Sequence, residues 1–154
     1  MRIIRDYKYA DWEQVCEIYD LSKPDEMKGI VDSNLIIPLA HDDKMLLYFN
    51  ESTIWVYEDA YKIIGFIGIK EDVVSWLFVH PGFRRKGIAR KLITRIIKEH
   101  NHSLKLNIAK TNHAAMSLYL DLGFEVFEEF EGKMYGQAIP AVRMKLNKSA
   151  EPVI

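Results

Sequence analysis

The stretch Val79-His80-Pro81-Gly82-Phe83-Arg84-Arg85-Lys86-Gly87-Ile88-Ala89-Arg90 decides how the rest of the 154-residue chain is read. The run Val73 to Val79 is β-branched and aromatic, and Pro81 must end it, because proline lacks an N–H and holds His80 extended. Two glycines then frame three consecutive cations. From Ile88 the apolar positions 88, 89, 92, 93, 96 and 97 form one helical stripe, with Arg90, Lys91, Thr94, Arg95, Lys98 and Glu99 opposite. A helix that starts this way turns its unpaired N–H groups and the positive end of its dipole toward the turn. Gly87 lets a ligand come close to the backbone. Such a terminus suits a phosphate or pyrophosphate, although a solvated basic loop at a helix start would carry the same residues. Gly82 and Gly87 have the spacing of a P-loop, but Ile88-Ala89 stand where Lys-Ser/Thr is required, and the dinucleotide G-x-G-x-x-G pattern is absent.

Working outward, the pattern predicts strands at Arg2 to Tyr7, Ile54 to Glu58, Ile63 to Ile69 and Val73 to Val79, the last three as a meander turning first at Asp59-Ala60. Asp11 with Gln14 resembles a capping box, opening a helix whose Trp12, Val15, Cys16 and Tyr19 share a face. Residues 24 to 49 read as one or two short helices broken near Pro24 and Pro38. After the helix from Ile88 to His100 come a buried strand at Ser103 to Ile108, a helix at Asn112 to Leu122 stopped by Gly123, and strands at Phe124 to Phe130 and Ala141 to Leu146. The step from 73 to 108 implies a right-handed parallel crossover in a mainly antiparallel sheet. Residues 1–146 form one α/β domain in this reading, and 147–154 a loose tail.

The length, 18.0 kDa with 49% hydrophobic residues, suffices for one core. A formal net charge of -1 argues against a generic polyanion binder, yet the charge is unevenly spread. Residues 1 to 75 hold 8 basic and 15 acidic side chains, residues 76 to 154 hold 13 and 7, and within 84 to 110 nine Lys/Arg face the single acid Glu99. The lone Cys16 excludes an internal disulfide framework and fits a reducing cytoplasm; on the apolar face of its helix it reads as a buried, inert thiol. Met1-Arg2-Ile3-Ile4 runs directly into charged residues, so neither a leader segment nor a membrane span is expected. Among five histidines only His100 and His102 are close in sequence, and no metal is expected.

Arg84-Arg85-Lys86-Gly87-Ile88-Ala89 resembles the acyl-CoA pyrophosphate loop, Q/R-x-x-G-x-G/A, of the GNAT N-acetyltransferase superfamily. The upstream strand end Leu77-Phe78-Val79-His80-Pro81 and the downstream Asn112, Ala115, Leu118, Tyr119, Gly123 and Phe124 match the family's flanking blocks. The resemblance implies a GNAT fold: a mixed, mainly antiparallel sheet of about seven strands flanked by about four helices, splayed between the strands at 73 to 79 and 103 to 108. It implies acetyl-CoA as cosubstrate, no metal, and direct acetyl transfer to a primary amine of a small molecule, peptide or protein. Residues Arg84, Arg85, Lys86, Gly87, Ile88, Ala89 and Arg90 would hold the pyrophosphate. Leu77, Phe78 and Val79 would pair with the pantetheine arm and polarise the acetyl carbonyl. Asn112 matches the pantetheine-contacting asparagine and would look the same as a helix N-cap. Tyr119 matches the tyrosine that protonates the departing thiolate.

An acceptor amine is cationic at neutral pH and must lose a proton before attack. Asp72 is the candidate base, with Glu71 and Ser75 as neighbours able to serve. Asp20, Asp25, Glu26 and Asp32 would suit a cationic amine, and a solvated face explains them equally. Trp76 is expected in the core or on the acceptor wall. The family often dimerises, so a homodimer is implied as a partner, while nucleic acid and membrane are not expected. The competing reading is a non-catalytic module, either a CoA-responsive regulator or a nucleic-acid binder using 84 to 110, although that stretch lacks the aromatics a stacking platform needs.

Overall fold

A computed structural model describes residues 1 to 148. Its seven strands form one sheet in the order β1-β2-β3-β4-β5-β7-β6. The strands are β1 (Arg2–Asp6), β2 (Thr53–Asp59), β3 (Lys62–Lys70), β4 (Val73–Val79), β5 (Leu104–Ala109), β6 (Glu125–Met134) and β7 (Gln137–Leu146). Four α-helices flank them among the described residues: α1 (Trp12–Glu26), α2 (Asp43–Asn50), α3 (Ile88–Glu99) and α4 (His113–Asp121). Every neighbouring pair is antiparallel except β4 and β5, joined in parallel through α3. The mixed α/β architecture is the one expected from the sequence.

Each face of the sheet carries its own core. Val15, Ile18 and Tyr19 of α1 and Phe49 of α2 pack on Val56, Phe66, Trp76 and Phe78. On the opposite face Leu92, Ile93 and Ile96 of α3 and Tyr119 of α4 pack on Ile64, Ile67, Leu104 and Leu106. Leu92 and Ile93 are fully buried, each contributing about 2 kcal/mol, more than an exposed ion pair can. The apolar stripe, not the charges opposite, therefore holds α3 in place.

β4 carries the feature that opens the sheet. Its register against β3 passes from Gly68↔Trp76 to Ile69↔Val74, leaving Ser75 as a bulged residue. The extra residue reverses the alternation, so that Trp76 and Phe78 face the α1 core while Val74 faces the α3 core. β4 and β5 pair only at Val73↔Lys105 and Val74↔Leu106, and beyond the bulge they part. Gly68 lies opposite: a Cβ there would stand 2.8 Å from Trp76 Cδ1 and 2.4 Å from Ile54 Cδ1, so only glycine lets Trp76 lie flat against β3.

Two local expectations are corrected. Asp11 does not cap α1 through a box with Gln14. Its carboxylate accepts from the Lys8 N–H at 2.8 Å and from both terminal nitrogens of Arg5 at 2.9 Å, while Gln14 Oε1 takes the N–H of Ile63. Pro24 does not break a helix: α1 runs through it to Glu26, with Met27 N–H bonded to the Lys23 carbonyl at 3.1 Å. Proline there removes one hydrogen bond near the end of a helix already fixed by the burial of Ile18, Tyr19 and Met27. The segment after it forms 3-10 turns at Ser33–Leu35 and Leu39–His41 before α2. Of the expected tail, 149–154 lie outside the described residues, whereas Lys148 donates its Nζ to the carbonyls of Ile97 and His100.

Candidate active site

The parting of β4 and β5 leaves a cleft of about 600 Å³, walled by β4, β5, α4, the start of α3 and the end of α1. Its β4 wall is a backbone edge. His80 donates its N–H to Ile64 of β3 at 2.8 Å, and Phe78 pairs with Phe66, so alternation turns the main-chain groups of Leu77 and Val79 toward the cleft. The Val79 carbonyl is taken by Ser22 Oγ at 3.1 Å. The remaining edge can pair with an extended ligand arm or donate to a carbonyl oxygen.

The floor of the cleft is the turn before α3. Gly87 has φ +76°, and a Cβ built there meets nothing within 4 Å, so the space above it is open. Arg85 also has positive φ, at 64°. Among the described residues no protein acceptor takes the N–H groups of Arg84 to Arg90; the first bonded amide is Lys91, to the Gly87 carbonyl at 3.1 Å. Unpaired amides at the positive end of a helix bind anions. Arg84, Arg85, Gly87, Ile88, Ala89 and Arg90 all border the cleft. Lys86 is turned away over the ring of Phe83, with Nζ 5.3 Å from its centroid.

On the opposite wall Asn112 caps α4, its side-chain oxygen accepting from Ala115 N–H at 3.2 Å, and it also borders the cleft. Tyr119, only 5% exposed, packs edge-on against Phe124 and lines the same space. Burial, and after it the charge of Glu26, pushes its phenol well above the ordinary tyrosine value, so it stays protonated at neutral pH. Leu77, Phe78, Val79, Asn112 and Tyr119 thus come together around this turn.

Asp72 does not join them. It precedes β4 at the paired end, where its carbonyl accepts from Lys105 N–H at 2.8 Å and its carboxylate bonds His100 Nε2 at 2.9 Å. The cleft opens at the other end of the strand. Ser75 lies at the bulge and bonds Tyr48 through its hydroxyl at 2.5 Å. Cys16 does not line the cleft, and burial pushes its thiol up to about 11. Among the described residues no group of three His, Cys, Asp or Glu side chains could hold a metal ion.

Near the end of α1, sequence reasoning named Asp25 and Glu26 but passed over Lys23. Lys23 is 5% exposed, borders the cleft and lies over the rings of Tyr19 and Phe78 at 5.8 and 5.7 Å. Its Nζ is 3.4 Å from Glu26 Oε1. The four acids that might meet a cation are sorted by their partners. Asp20 accepts from Leu39 N–H and Asp32 from Asn34 N–H, both structural. Asp25 pairs with Arg84, and Glu26 with Lys23 at the cleft. The only signal for Lys23 was its place in a charged run around Pro24, hidden because proline suggested a helix end.

Comparison with known proteins bears on the same region. Residues 50–126 match the family described as "Acetyltransferase (GNAT) domain". The chain is 31% identical over 93 residues to the peptidyl-lysine N-acetyltransferase YiaC of Escherichia coli (strain K12), covering 60% of each chain. It is 30% identical over 96 residues to the L-amino acid N-acyltransferase MnaT of the same strain, covering 57% of this chain and 56% of that protein. These alignments span less than two thirds of either relative. Among solved structures, yncA from Salmonella typhimurium with its cofactor acetyl-CoA superposes with a TM-score of 0.74 at 22% identity, covering 99% of this chain and 98% of that one. At that identity the likeness is one of fold.

Proposed function

Because the chain belongs to the GNAT acetyltransferase family, we propose that it transfers an acetyl group from acetyl-CoA directly to a primary amine within the β4/β5 cleft. The observation that carries this reading is the row of unpartnered N–H groups from Arg84 to Arg90, opening onto the cleft that Tyr119 lines. The pyrophosphate would accept from those amides, and the edge of Leu77 and Val79 would hold the pantetheine arm and orient the thioester carbonyl. The amine nitrogen then attacks the carbonyl carbon, the C–S bond breaks, and the thiolate takes the phenolic proton of Tyr119. The proton still on the amide-forming nitrogen returns to Tyr119, directly or through water, which restores the acid.

The position of Cys16 outside the cleft supports direct transfer over an acyl-enzyme route. A cytoplasmic location agrees with the cosubstrate and with a chain whose one cysteine is unpaired. In the basic stretch 84 to 110, Arg84, Arg90 and Arg95 are each paired with a carboxylate, of Asp25, Asp121 and Glu99. Those pairs weaken the case for a nucleic-acid surface. The curated relatives act on different acceptors by name, peptidyl-lysine in one and L-amino acids in the other, so they favour no single amine. The test is amine-dependent release of CoA thiol from acetyl-CoA, run beside calorimetry of acetyl-CoA binding. Release without any amine dependence would point to a thioesterase instead.

A further inference from the structure

We propose that the Lys23–Glu26 pair is the docking point of the acceptor, and that the acceptor is a small zwitterion bearing an amine and a carboxylate on one carbon; this rests on the acetyl-transfer reading above. Lys23 is a buried cation with three donors, and among the described residues its one carboxylate contact, at 3.4 Å, is longer than the usual charge-assisted bond. Two aromatic faces complete its surroundings without taking a hydrogen bond. A cation held this way, on the wall of an open cleft, is left short of acceptors. A ligand carboxylate supplies them.

Glu26 lies beside it with side-chain exposure of 31%, also on the cleft wall, and close enough to Tyr119 for its charge to act on the phenol. Its oxygens are the natural seat for an ammonium group. The pair presents positive and negative ends 3.4 Å apart, and in an α-amino acid the nitrogen and nearest carboxylate oxygen are roughly 3 Å apart. The two dipoles match in length and oppose in direction. A polyamine or a lysine side chain brings a second cation, or an apolar stem, to Lys23 instead of a carboxylate, and would leave that charge unpaired.

The geometry also gives Glu26 chemistry. The ammonium nitrogen sheds one proton to the Glu26 carboxylate, which passes it to solvent; the freed lone pair forms the C–N bond as the C–S bond breaks. The second proton leaves the nitrogen for the thiolate by way of Tyr119. The sum is ammonium plus thioester giving amide, thiol and one released proton.

The experiment pairs a panel of free amino acids with their α-amides and with a polyamine and a lysine-containing peptide, reading CoA release, with calorimetric binding of the same acids to the protein–CoA complex. At least one acid should exceed its amide in kcat/KM by about 30-fold, the loss expected when a buried charge loses its partner. Lys23→Met should cost that acid about 30-fold more in kcat/KM than it costs the amide, and Lys23→Arg should restore the preference. Glu26→Gln should lower kcat and regain rate as pH rises toward the amine's own pKa. Equal use of acids and amides, faster use of the polyamine or peptide than of every acid, or an equal fall for acid and amide in Lys23→Met would overturn the zwitterion proposal while leaving acetyl transfer standing. Absence of both acetyl-CoA binding and release with every amine would overturn the acetyl-transfer reading, and this proposal with it.

Discussion

The guanidinium of Arg84, in the turn before α3, holds the carboxylate of Asp25, near the end of α1, at 2.8 Å. This ion pair links the loop proposed to hold the pyrophosphate to the helix end proposed to meet the acceptor. A phosphate arriving at the loop competes with Asp25 for the same donor. The pair is largely exposed, so its own strength is about 0.2 to 1 kcal/mol. Asp25→Asn is therefore expected to tighten CoA binding by about 2- to 5-fold, read by calorimetry. Weaker binding in that variant would show that Asp25 supports the loop and does not compete with the ligand.

Gly87 supplies both the left-handed turn and the open space above it. Alanine there costs about 1 kcal/mol of backbone strain, which urea denaturation would detect as a modest loss of stability. Its methyl group also enters the open space proposed for the phosphate. Gly87→Ala should weaken CoA binding by at least about 10-fold, more than the strain alone accounts for. Unchanged affinity would mean that the ligand does not approach the backbone at this point.

Asp72 tests the placement of the base. Its carboxylate is bound to His100 at the paired end of β4 and β5, away from the cleft. Asp72→Asn should leave kcat/KM within about 2-fold and reduce stability by no more than about 1 kcal/mol. A fall of about 100-fold, the usual contribution of a general base, would return Asp72 to the reaction.

The Arg5–Asp11 pair sets an acid limit on folding. Asp11 is 4% exposed, and the Arg5 hydrogen bonds, against the opposing effect of burial, hold its carboxyl below the ordinary value. A carboxyl with a lowered folded pKa contributes its full stability above the unfolded value of about 3.9 and loses it as pH falls through the folded value. Asp11→Asn should lower stability at pH 7 by about 3 kcal/mol and flatten the decline of stability below about pH 4. An equally steep acid decline in the variant would assign it to other carboxylates.

The readable parts of the molecule were those governed by periodicity. The 88, 92, 93, 96 stripe of α3 is among the most buried in the protein, and the first five strands fell near their observed bounds, whereas β6 runs on to Met134 and β7 starts already at Gln137, past the expected ends at Phe130 and Ala141. The turn before α3 was legible because Gly87 states a local backbone requirement. What stayed hidden depends on distant partners. Asp11 looked like a cap, but its oxygens are claimed by Arg5, whose strand lies against the helix entry. Pro24 looked like a stop, but burial of the flanking residues overrides it. Asp72 was adjacent in sequence to the right strand yet at its wrong end, because the bulge at Ser75 decides where the sheet parts. Lys23 carries no local sign that it is buried.

The most direct measurement of the central claim is CoA thiol release from acetyl-CoA by the wild type and by Tyr119→Phe, with an amine acceptor and across pH. Because burial keeps the phenol protonated, the wild type should show no alkaline loss from Tyr119 up to about pH 10. Tyr119→Phe should keep acetyl-CoA binding while losing about 100-fold or more in turnover. Unchanged turnover in Tyr119→Phe at every pH, or no binding of acetyl-CoA at millimolar concentration, would contradict the account.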